Sequence, residues 1–452
     1  MNDELGGDGR AEIERARPYS TVFVITLLLS ASAGLTDLRI GSLQLEDLLL
    51  LVLLGLCTAK CMDSGYRIRV SSRLRPLFTS YGSLLLLLVV MAVLALRLTF
   101  YPLEDQTLLT QPLIYSLSKL LQFSAVICGF LWLTNAFTKR KNLLVLALRT
   151  YWYVGVASSL YAVGCYAAVR VFHFGNFDVF GAYFNDSDVI RARGFFNEGG
   201  PFGIYLVSVM VIGLLCRQIA GRRLSWVTTA IIFLAFILSS SKAGLCVVAL
   251  LVFFYIFSVS SVRARIGYLL LALVLLFGIG QLVGLGEAIQ GYLTAYLSFD
   301  EQVASRGRDY NLVVGRVSAL YIVPKMIIAH PLTGIGYGNY PFMRNDPNYL
   351  DGLPTITEVQ DLPALGFPGV AAEIGVPATI WLIILLFVPY NAVRKGGTIL
   401  AIGTLFQPIA HTFAVQLTFF YPWLITACAF GASFWQRSDG ERTSTALELR
   451  SS

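Results

Sequence analysis

Two arginines and a glycine turn stand together just before a long apolar run. Arg191 and Arg193 precede Gly194, and the pair Gly199-Gly200 leads directly into Pro201 at the start of that run. Proline suits the first position of a helix, and glycine lets a bound group approach the backbone. A helix start offers free N–H groups to an anion, and the planar guanidinium group binds phosphate oxygens in pairs. The pattern therefore predicts a site for a phosphate or pyrophosphate group.

A structural role is the alternative for these arginines. An arginine near a bilayer extends its charged end to the lipid headgroups while its methylene stem stays in apolar surroundings. Asp186 and Asp188 also lie close enough in the sequence to pair with Arg191 or Arg193. The sequence leaves both roles open.

A second polar stretch carries Arg316, His330 and three closely spaced glycines. Arg316 begins an apolar segment that continues through Ile328, dense enough to lie on a membrane surface as an interfacial helix. His330 follows that segment and is a candidate general base, although a histidine at a helix end commonly complements the helix dipole. The glycines of the segment 334–338 are not a dinucleotide-binding loop, because no strand precedes them, so we predict a tight turn.

The composition excludes a water-soluble fold. Hydrophobic residues make up 56% of the chain and charged residues 13%, whereas about a quarter of a soluble domain is charged. Apolar runs recur along the chain, each long enough to cross a hydrocarbon core of about 30 Å as a helix. Since lipid cannot satisfy exposed backbone groups, we expect an all-α polytopic membrane protein. The seven cysteines include no CxxC pair and fall in or beside apolar runs, so neither a disulfide framework nor a metal site is expected.

Windows of hydropathy predict about twelve transmembrane helices between residues 19 and 434. Short tails, 1–18 and 435–452, flank them, and two long loops, about 170–200 and 287–363, lie on the outer side. The larger loop carries amphipathic helices. The predicted spans lie near residues 19–35, 43–59, 77–97, 114–137, 143–168, 201–216, 226–240, 243–258, 266–286, 364–390, 398–412 and 417–434.

The basic residues set the predicted topology. Lys and Arg fall in short tracts on alternate connections, such as Lys139-Arg140-Lys141, and such tracts stay on the cytoplasmic side. Both termini are therefore predicted to be cytoplasmic. The formal net charge of +7 does not indicate a nucleic-acid partner, because these residues do not share one helix or sheet face.

Several motifs, taken in order, resemble the O-antigen ligase and O-antigen polymerase superfamily of bacterial membrane glycosyltransferases. The resemblance covers roughly Arg191 to Leu386, and the spacing from Arg316 to Pro331 fits the family pattern without a gap. The matching motifs are Arg191-x-x-Gly194-x-Phe196-Asn197, Ser239-Ser240-Ser241-Lys242-Ala243-Gly244, Gly315-Arg316, His330-Pro331-Leu332-x-Gly334-x-Gly336-x-Gly338-Asn339 and Glu373-Ile374-Gly375-Val376-Pro377.

The resemblance implies a metal-independent, GT-C-like glycosyltransferase of the bacterial inner membrane that needs no cofactor. Its donor and acceptor would be undecaprenyl-pyrophosphate-linked glycans, and a chain-length regulator or an export complex is a candidate protein partner. Arg191, Arg193 and Arg316 would hold the pyrophosphate leaving group. Lys242 stands where the family often has arginine and would add a point charge there. The alternative for Lys242 is a helix-end lysine at the membrane interface.

One departure from the family pattern bears on the reaction. Ligases of this family carry a His-Asn pair shortly before the Glu-x-Gly motif, whereas the corresponding stretch here, residues 358–365, contains no histidine. Polymerisation of repeat units is therefore favoured over ligation to a lipid or protein acceptor. Asp361 or Glu358 is the hypothetical general base, since a carboxylate in a partly dehydrated cleft has a raised pKa. A solvated loop carboxylate is the alternative for each.

A lipid-linked oligosaccharide flippase or transporter and an accessory subunit of an export complex are the rival functions. A transporter would need paired ionisable residues near the bilayer midplane. Few acidic residues fall within the predicted spans, which argues against proton coupling. Lys119 interrupts one span, with Gln122 one turn behind it, and is predicted to face a polar cavity near the outer surface.

Overall fold

The protein is almost entirely helical in the part of the chain that the computed structural model describes. This part comprises residues 21–35, 39–40, 43–63, 74–98, 100–101, 103, 111–174, 191–196, 198–221, 224–258, 262–282, 284–298, 316–350, 352–353, 355–356, 365–413 and 415–451. Within it, the strands form a single two-residue antiparallel pair, β1 (Arg39–Ile40) with β2 (Leu43–Gln44).

Seventeen α-helices are described. In chain order they are α1 (Thr21–Ser32), α2 (Leu45–Asp63), α3 (Arg75–Ala95), α4 (Pro112–Lys139), α5 (Lys141–Arg170), α6 (Gly199–Ala220), α7 (Trp226–Leu238), α8 (Lys242–Ser258), α9 (Val262–Leu282), α10 (Leu285–Leu297), α11 (Arg316–Ala329), α12 (Tyr340–Met343), α13 (Pro347–Leu350), α14 (Phe367–Ile374), α15 (Val376–Val393), α16 (Thr398–Thr412) and α17 (Phe420–Ser451). A short 3₁₀ turn (Arg394–Gly396) follows α15.

Six helices are long and apolar enough to cross a membrane. They are α3, α4, α5, α6, the segment Val262–Gln281 of α9, and α15 with the turn after it, Val376–Gly396. Large apolar side chains lie exposed along several of them, for example Phe277 and Val274 on α9, as lipid contact requires. The prediction of an all-helical fold with several helices able to span a membrane is confirmed for the described residues. Shorter apolar helices occupy several of the other predicted spans, so a total of twelve spans stays a prediction.

The predicted span 364–390 is broken into two helices. α14 ends at Ile374, Gly375 adopts φ +80°, and α15 begins at Val376. With eight residues, α14 is about 12 Å long, too short to cross a hydrocarbon core of about 30 Å. A Cβ at Gly375 would collide with the Leu332 carbonyl, so the break is shaped by the segment that packs against it. Hydropathy alone does not reveal such a break.

Helices also occupy much of the predicted outer loop 287–363. α10, α11, α12 and α13 lie within or at the edge of it, and α11 confirms the helix predicted after Arg316. The buried face of α11, which includes Ile322 and Met326, belongs to a small apolar core with Ala372 of α14. This core fixes the outer helices against the broken segment.

A cluster of aromatic rings holds the central helices together. The Trp423 ring of α17 lies 5.5 Å from that of Phe130, 6.0 Å from that of Phe123 and 5.9 Å from that of Tyr81. Phe130 and Phe123 belong to α4 and Tyr81 to α3. Edge-on ring pairs of this kind add to the free energy of burial. The cluster thus packs α3, α4 and α17 against one another.

Candidate functional site

The arginine segment and the serine motif are joined by backbone hydrogen bonds. The N–H of Ala192 donates to the Leu238 carbonyl at 3.0 Å, and the Ser241 hydroxyl donates to the Gly200 carbonyl at 2.7 Å. The same Ser241 oxygen accepts a hydrogen bond from the N–H of Gly244 at 3.0 Å. The start of α6 and the turn between α7 and α8 therefore form one unit.

Close packing at Gly199 brings Arg191 to the start of α6. A Cβ at Gly199 would lie 2.6 Å from the Ser239 carbonyl oxygen and 3.1 Å from the Arg191 Cβ. Only glycine leaves room for this approach. Helix α6 begins at Gly199, two residues earlier than expected, so Pro201 is its third residue rather than its first. Its missing N–H costs no hydrogen bond, since first-turn N–H groups have no partner within a helix.

Two of the predicted phosphate ligands, Arg191 and Lys242, lie close enough to affect each other electrostatically. Burial lowers the pKa of the Lys242 ammonium group, the charge of Arg191 lowers it further, and Glu287 opposes both effects. Arg191 is exposed and Lys242 is half-buried. An anion between two such cations would relieve their repulsion. We call Arg191, Lys242 and the first turn of α6 the anion site.

The structure describes the other predicted phosphate ligands only in part. Arg193 is half-buried and its carbonyl accepts a hydrogen bond from the N–H of Phe196 at 3.0 Å. Arg316 is the first residue of α11, but its side chain lies outside the described part of the chain, as do Asp361 and Glu358. Their roles stay predictions. Within the described residues, no group of three or more His, Cys, Asp or Glu could hold a metal ion.

The glycine-rich segment 330–340, which we call the glycine loop, packs against the helix break. The N–H of Ile335 donates to the Ala372 carbonyl at 2.9 Å, and the N–H of Gly336 donates to the Glu373 carbonyl at 2.8 Å. Three positive φ angles confirm the predicted tight turn: +64° at Gly334, +93° at Gly336 and +80° at Gly338. The loop thus completes the hydrogen bonding of a helix end that would otherwise lack partners.

Glu373 lies buried beneath the glycine loop. Burial raises the pKa of its carboxyl group to about 7, although backbone N–H groups of Gly338 and Tyr340 donate to it and Lys119 lies near it. Its side chain is 3% exposed. Its Oε1 has no hydrogen-bond partner within the described residues. In the sequence, Glu373 appears only as part of a motif. The sole indication that it has a role of its own is that an acidic residue stands at the edge of an apolar run.

Lys119 of α4 contacts the same loop from the other side. A Cβ at Gly338 would lie 3.1 Å from the Lys119 Cγ, and the Ser116 hydroxyl donates to the Tyr337 carbonyl at 2.6 Å. The Lys119 Nζ also lies 5.3 Å from the centre of the Tyr115 ring. The lysine therefore contacts the glycine loop near Glu373, and the predicted polar cavity around it stays a prediction.

His330 makes a contact of its own. Its Nε2 lies 3.1 Å from the Tyr349 hydroxyl oxygen, and the ring is half-buried. The role of His330 as a general base stays a prediction.

Glu287 is a residue that the sequence analysis missed. It lies in the first turn of α10, is exposed, and acts electrostatically on Lys242. Its closeness to the anion site depends on how α10 packs, which no local pattern predicts. A carboxylate near an anion site has the chemistry of a general base.

No protein-family model matches this chain, and no curated protein matches it. The relationship to the O-antigen ligase and polymerase superfamily therefore stays a prediction that depends on the ordered motifs.

Proposed function

We propose that this protein polymerises undecaprenyl-pyrophosphate-linked oligosaccharide repeat units on the outer face of the bacterial inner membrane. It would do so as a metal-independent glycosyltransferase with about twelve membrane spans, a GT-C-like fold and both termini in the cytoplasm. The observation that carries the proposal is the anion site, in which Arg191 and Lys242 lie together at the first turn of α6. The product would be an O-antigen, a capsule or an exopolysaccharide.

The proposed reaction transfers a growing glycan from its lipid carrier to a sugar hydroxyl group. The acceptor hydroxyl loses its proton to a base, its oxygen bonds to the anomeric carbon of the donor, and the bond from that carbon to the pyrophosphate oxygen breaks. Negative charge then develops on the departing lipid pyrophosphate. Fixed cations lower the energy of that charge without reorganisation, which is the role of Arg191 and Lys242. Arg193 and Arg316 would extend the same field.

The test uses purified protein and synthetic lipid-linked repeat units. The wild-type chain should lengthen the glycan and release undecaprenyl pyrophosphate. Arg191→Gln should lower the rate about a hundredfold, as for the loss of one group that stabilises transition-state charge. Arg170→Gln is the matched control, because Arg170 is an exposed arginine at the end of α5, outside the anion site. Full activity of an Arg191→Gln, Lys242→Gln double variant that elutes as folded protein would overturn the proposal.

The rival function of a transporter has one observation in its favour. Glu373 and Lys119 lie near each other beside the helix break at Gly375, and transporters use discontinuous helices and ionisable pairs to couple transport to ions. Proteoliposomes with a pH gradient would distinguish the two functions. A transporter would move the lipid-linked glycan across the bilayer without lengthening it.

A further inference from the structure

A cavity of about 140 Å³ opens near the end of α6 that lies away from the anion site. Helix α6 has 22 residues and is about 33 Å long, so Gly199 and Ala220 lie on opposite sides of a hydrocarbon core of about 30 Å. The cavity lies between α5, α6 and the start of α7. Its lining residues are Arg149, Trp152, Tyr153, Cys216, Ala220, Leu224, Ser225 and Thr228.

The depth of Arg149 places its charge near the headgroup boundary. Helix α5 has 30 residues and is about 45 Å long, so about 7 Å of it projects beyond the core on each side. Arg149 follows Lys141, the first residue of α5, by eight positions, or about 12 Å along the axis. Its Cα is therefore about 5 Å inside the core, within reach of the phosphate layer by the arginine side chain.

The positive charge of Arg149 has no acidic counterpart among the described residues that line the cavity. Arg149 is exposed, and the described residues that line the cavity include no Asp or Glu. A guanidinium group that reaches the phosphate layer pairs favourably with an anionic group there. The ligand that this site favours is therefore negatively charged.

Polar groups of α7 complete the site. Ser225 is the N-cap residue of α7, but its side chain makes no capping hydrogen bond. The Thr228 hydroxyl donates to the Ser225 carbonyl at 2.9 Å. The Ser225 hydroxyl, which makes no capping hydrogen bond, and the guanidinium group of Arg149 can both donate to an oxygen of a ligand.

Two aromatic side chains line the cavity. The Trp152 ring packs so tightly on α6 that a Cβ at Gly213 would lie 2.6 Å from its Cζ3 atom, and Tyr153 beside it is exposed. Tryptophan and tyrosine are typical of the headgroup level of a bilayer. A ligand at this depth therefore has lipid acyl chains on its membrane side and water on its other side.

We propose that this cavity binds the phosphate group of an anionic lipid in the leaflet opposite the anion site. The guanidinium group of Arg149 and the Ser225 hydroxyl hold the phosphate oxygens, and Trp152 and Tyr153 contact the glycerol and upper chain region. The inference depends on the membrane fold and on this cavity, and it is independent of the glycan chemistry proposed above.

Native mass spectrometry of the purified full chain tests the proposal with phosphatidylglycerol as the probe. Phosphatidylglycerol should bind more tightly than phosphatidylcholine, and excess inorganic phosphate should leave its binding unchanged. Arg149→Gln should weaken binding about tenfold, as expected for the loss of charge-assisted hydrogen bonds. Arg217→Gln is the matched control, because Arg217 is an exposed arginine in the last turn of α6 and does not line the cavity.

Milder variants keep the test decisive if Arg149→Gln does not fold. Arg149→Lys retains the charge but loses the planar fork, and Ser225→Ala removes one donor, so each should weaken binding several-fold. Unchanged binding in both would overturn the proposal. Equal retention of phosphatidylcholine, displacement by inorganic phosphate, or an equal loss in Arg217→Gln would also overturn it.

Discussion

The N–H of Ala192 donates a hydrogen bond to the carbonyl of Leu238 at 3.0 Å. This contact joins the arginine segment to the end of α7, just before the turn that leads to Lys242. The backbone that carries Arg191 is therefore held by the element that leads to Lys242. Preorganised charges of this kind stabilise developing negative charge most effectively.

Gly199→Ala should disturb the anion site while the bundle stays folded. The new Cβ would lie 2.6 Å from the Ser239 carbonyl oxygen and 3.1 Å from the Arg191 Cβ, and the backbone oxygen cannot move without the turn that holds Lys242. We expect glycan lengthening to fall about tenfold or more, because small misplacements of positioning groups reduce rates steeply. The rate with lipid-linked repeat units measures the effect.

Gly200→Ala provides the control. Gly200 is the next residue of the same helix turn, and a Cβ there would meet no atom within 4 Å. Its effect on stability should stay within about 1 kcal/mol, the helix-propensity difference between glycine and alanine. Equal rates in Gly199→Ala and Gly200→Ala would show that the close approach of Arg191 to α6 does not matter for activity.

Glu373→Gln should change how stability depends on pH. Burial raises the pKa of the Glu373 carboxyl group from 4.5 to about 7, so the folded protein binds this proton more tightly than the unfolded chain does. The resulting stabilisation is complete below pH 4.5 and is lost as the pH rises through about 7. A shift of this size corresponds to roughly 3 kcal/mol. Glutamine carries no such proton and keeps an oxygen for the Gly338 and Tyr340 N–H groups.

Thermal unfolding in detergent between pH 4.5 and 8 measures this difference. The melting temperature of the wild-type chain, relative to that of Glu373→Gln, should fall across this range. If the melting temperatures of the two proteins change with pH in parallel, the Glu373 carboxyl group has an ordinary pKa. Nearby positive charge then compensates for the burial of the carboxylate, and Lys119 is a described source of that charge.

The sequence was sufficient to predict most of the helices. Hydropathy gave a span at 114–137, and α4 extends from Pro112 to Lys139, because the same apolar side chains that favour lipid also define the helix interior. The break at Gly375 was not predicted, since both halves are apolar. It depends on the φ of +80° at Gly375 and on the Leu332 carbonyl beside it, and that contact joins residues distant in the chain.

The residues of the candidate site were also predictable from the sequence only in part. Arg191 and Lys242 were identifiable by residue type and motif order, but their closeness depends on the packing of α6 against the turn after α7. Glu373 and Lys119 come from helices far apart in sequence. A local sequence pattern cannot show that two such residues lie close together. The only indication of a role for Glu373 was an acidic residue within an apolar stretch.

Glu287→Gln should slow glycan lengthening. Glu287 is exposed in the first turn of α10 and acts electrostatically on Lys242, so a carboxylate is available beside the anion site. Loss of a general base typically costs about a hundred- to ten-thousandfold. The rate of glycan lengthening with lipid-linked repeat units measures the effect.

Glu198→Gln is the control for charge alone. Glu198 is an exposed carboxylate that directly precedes α6, and the charges that act on Lys242 are those of Arg191 and Glu287. Its loss should leave the rate of glycan lengthening nearly unchanged and alter the affinity for the donor only slightly. If Glu198→Gln and Glu287→Gln lower the rate equally, the two residues act only through net charge. The base then has to be sought at Asp361, Glu358 or His330.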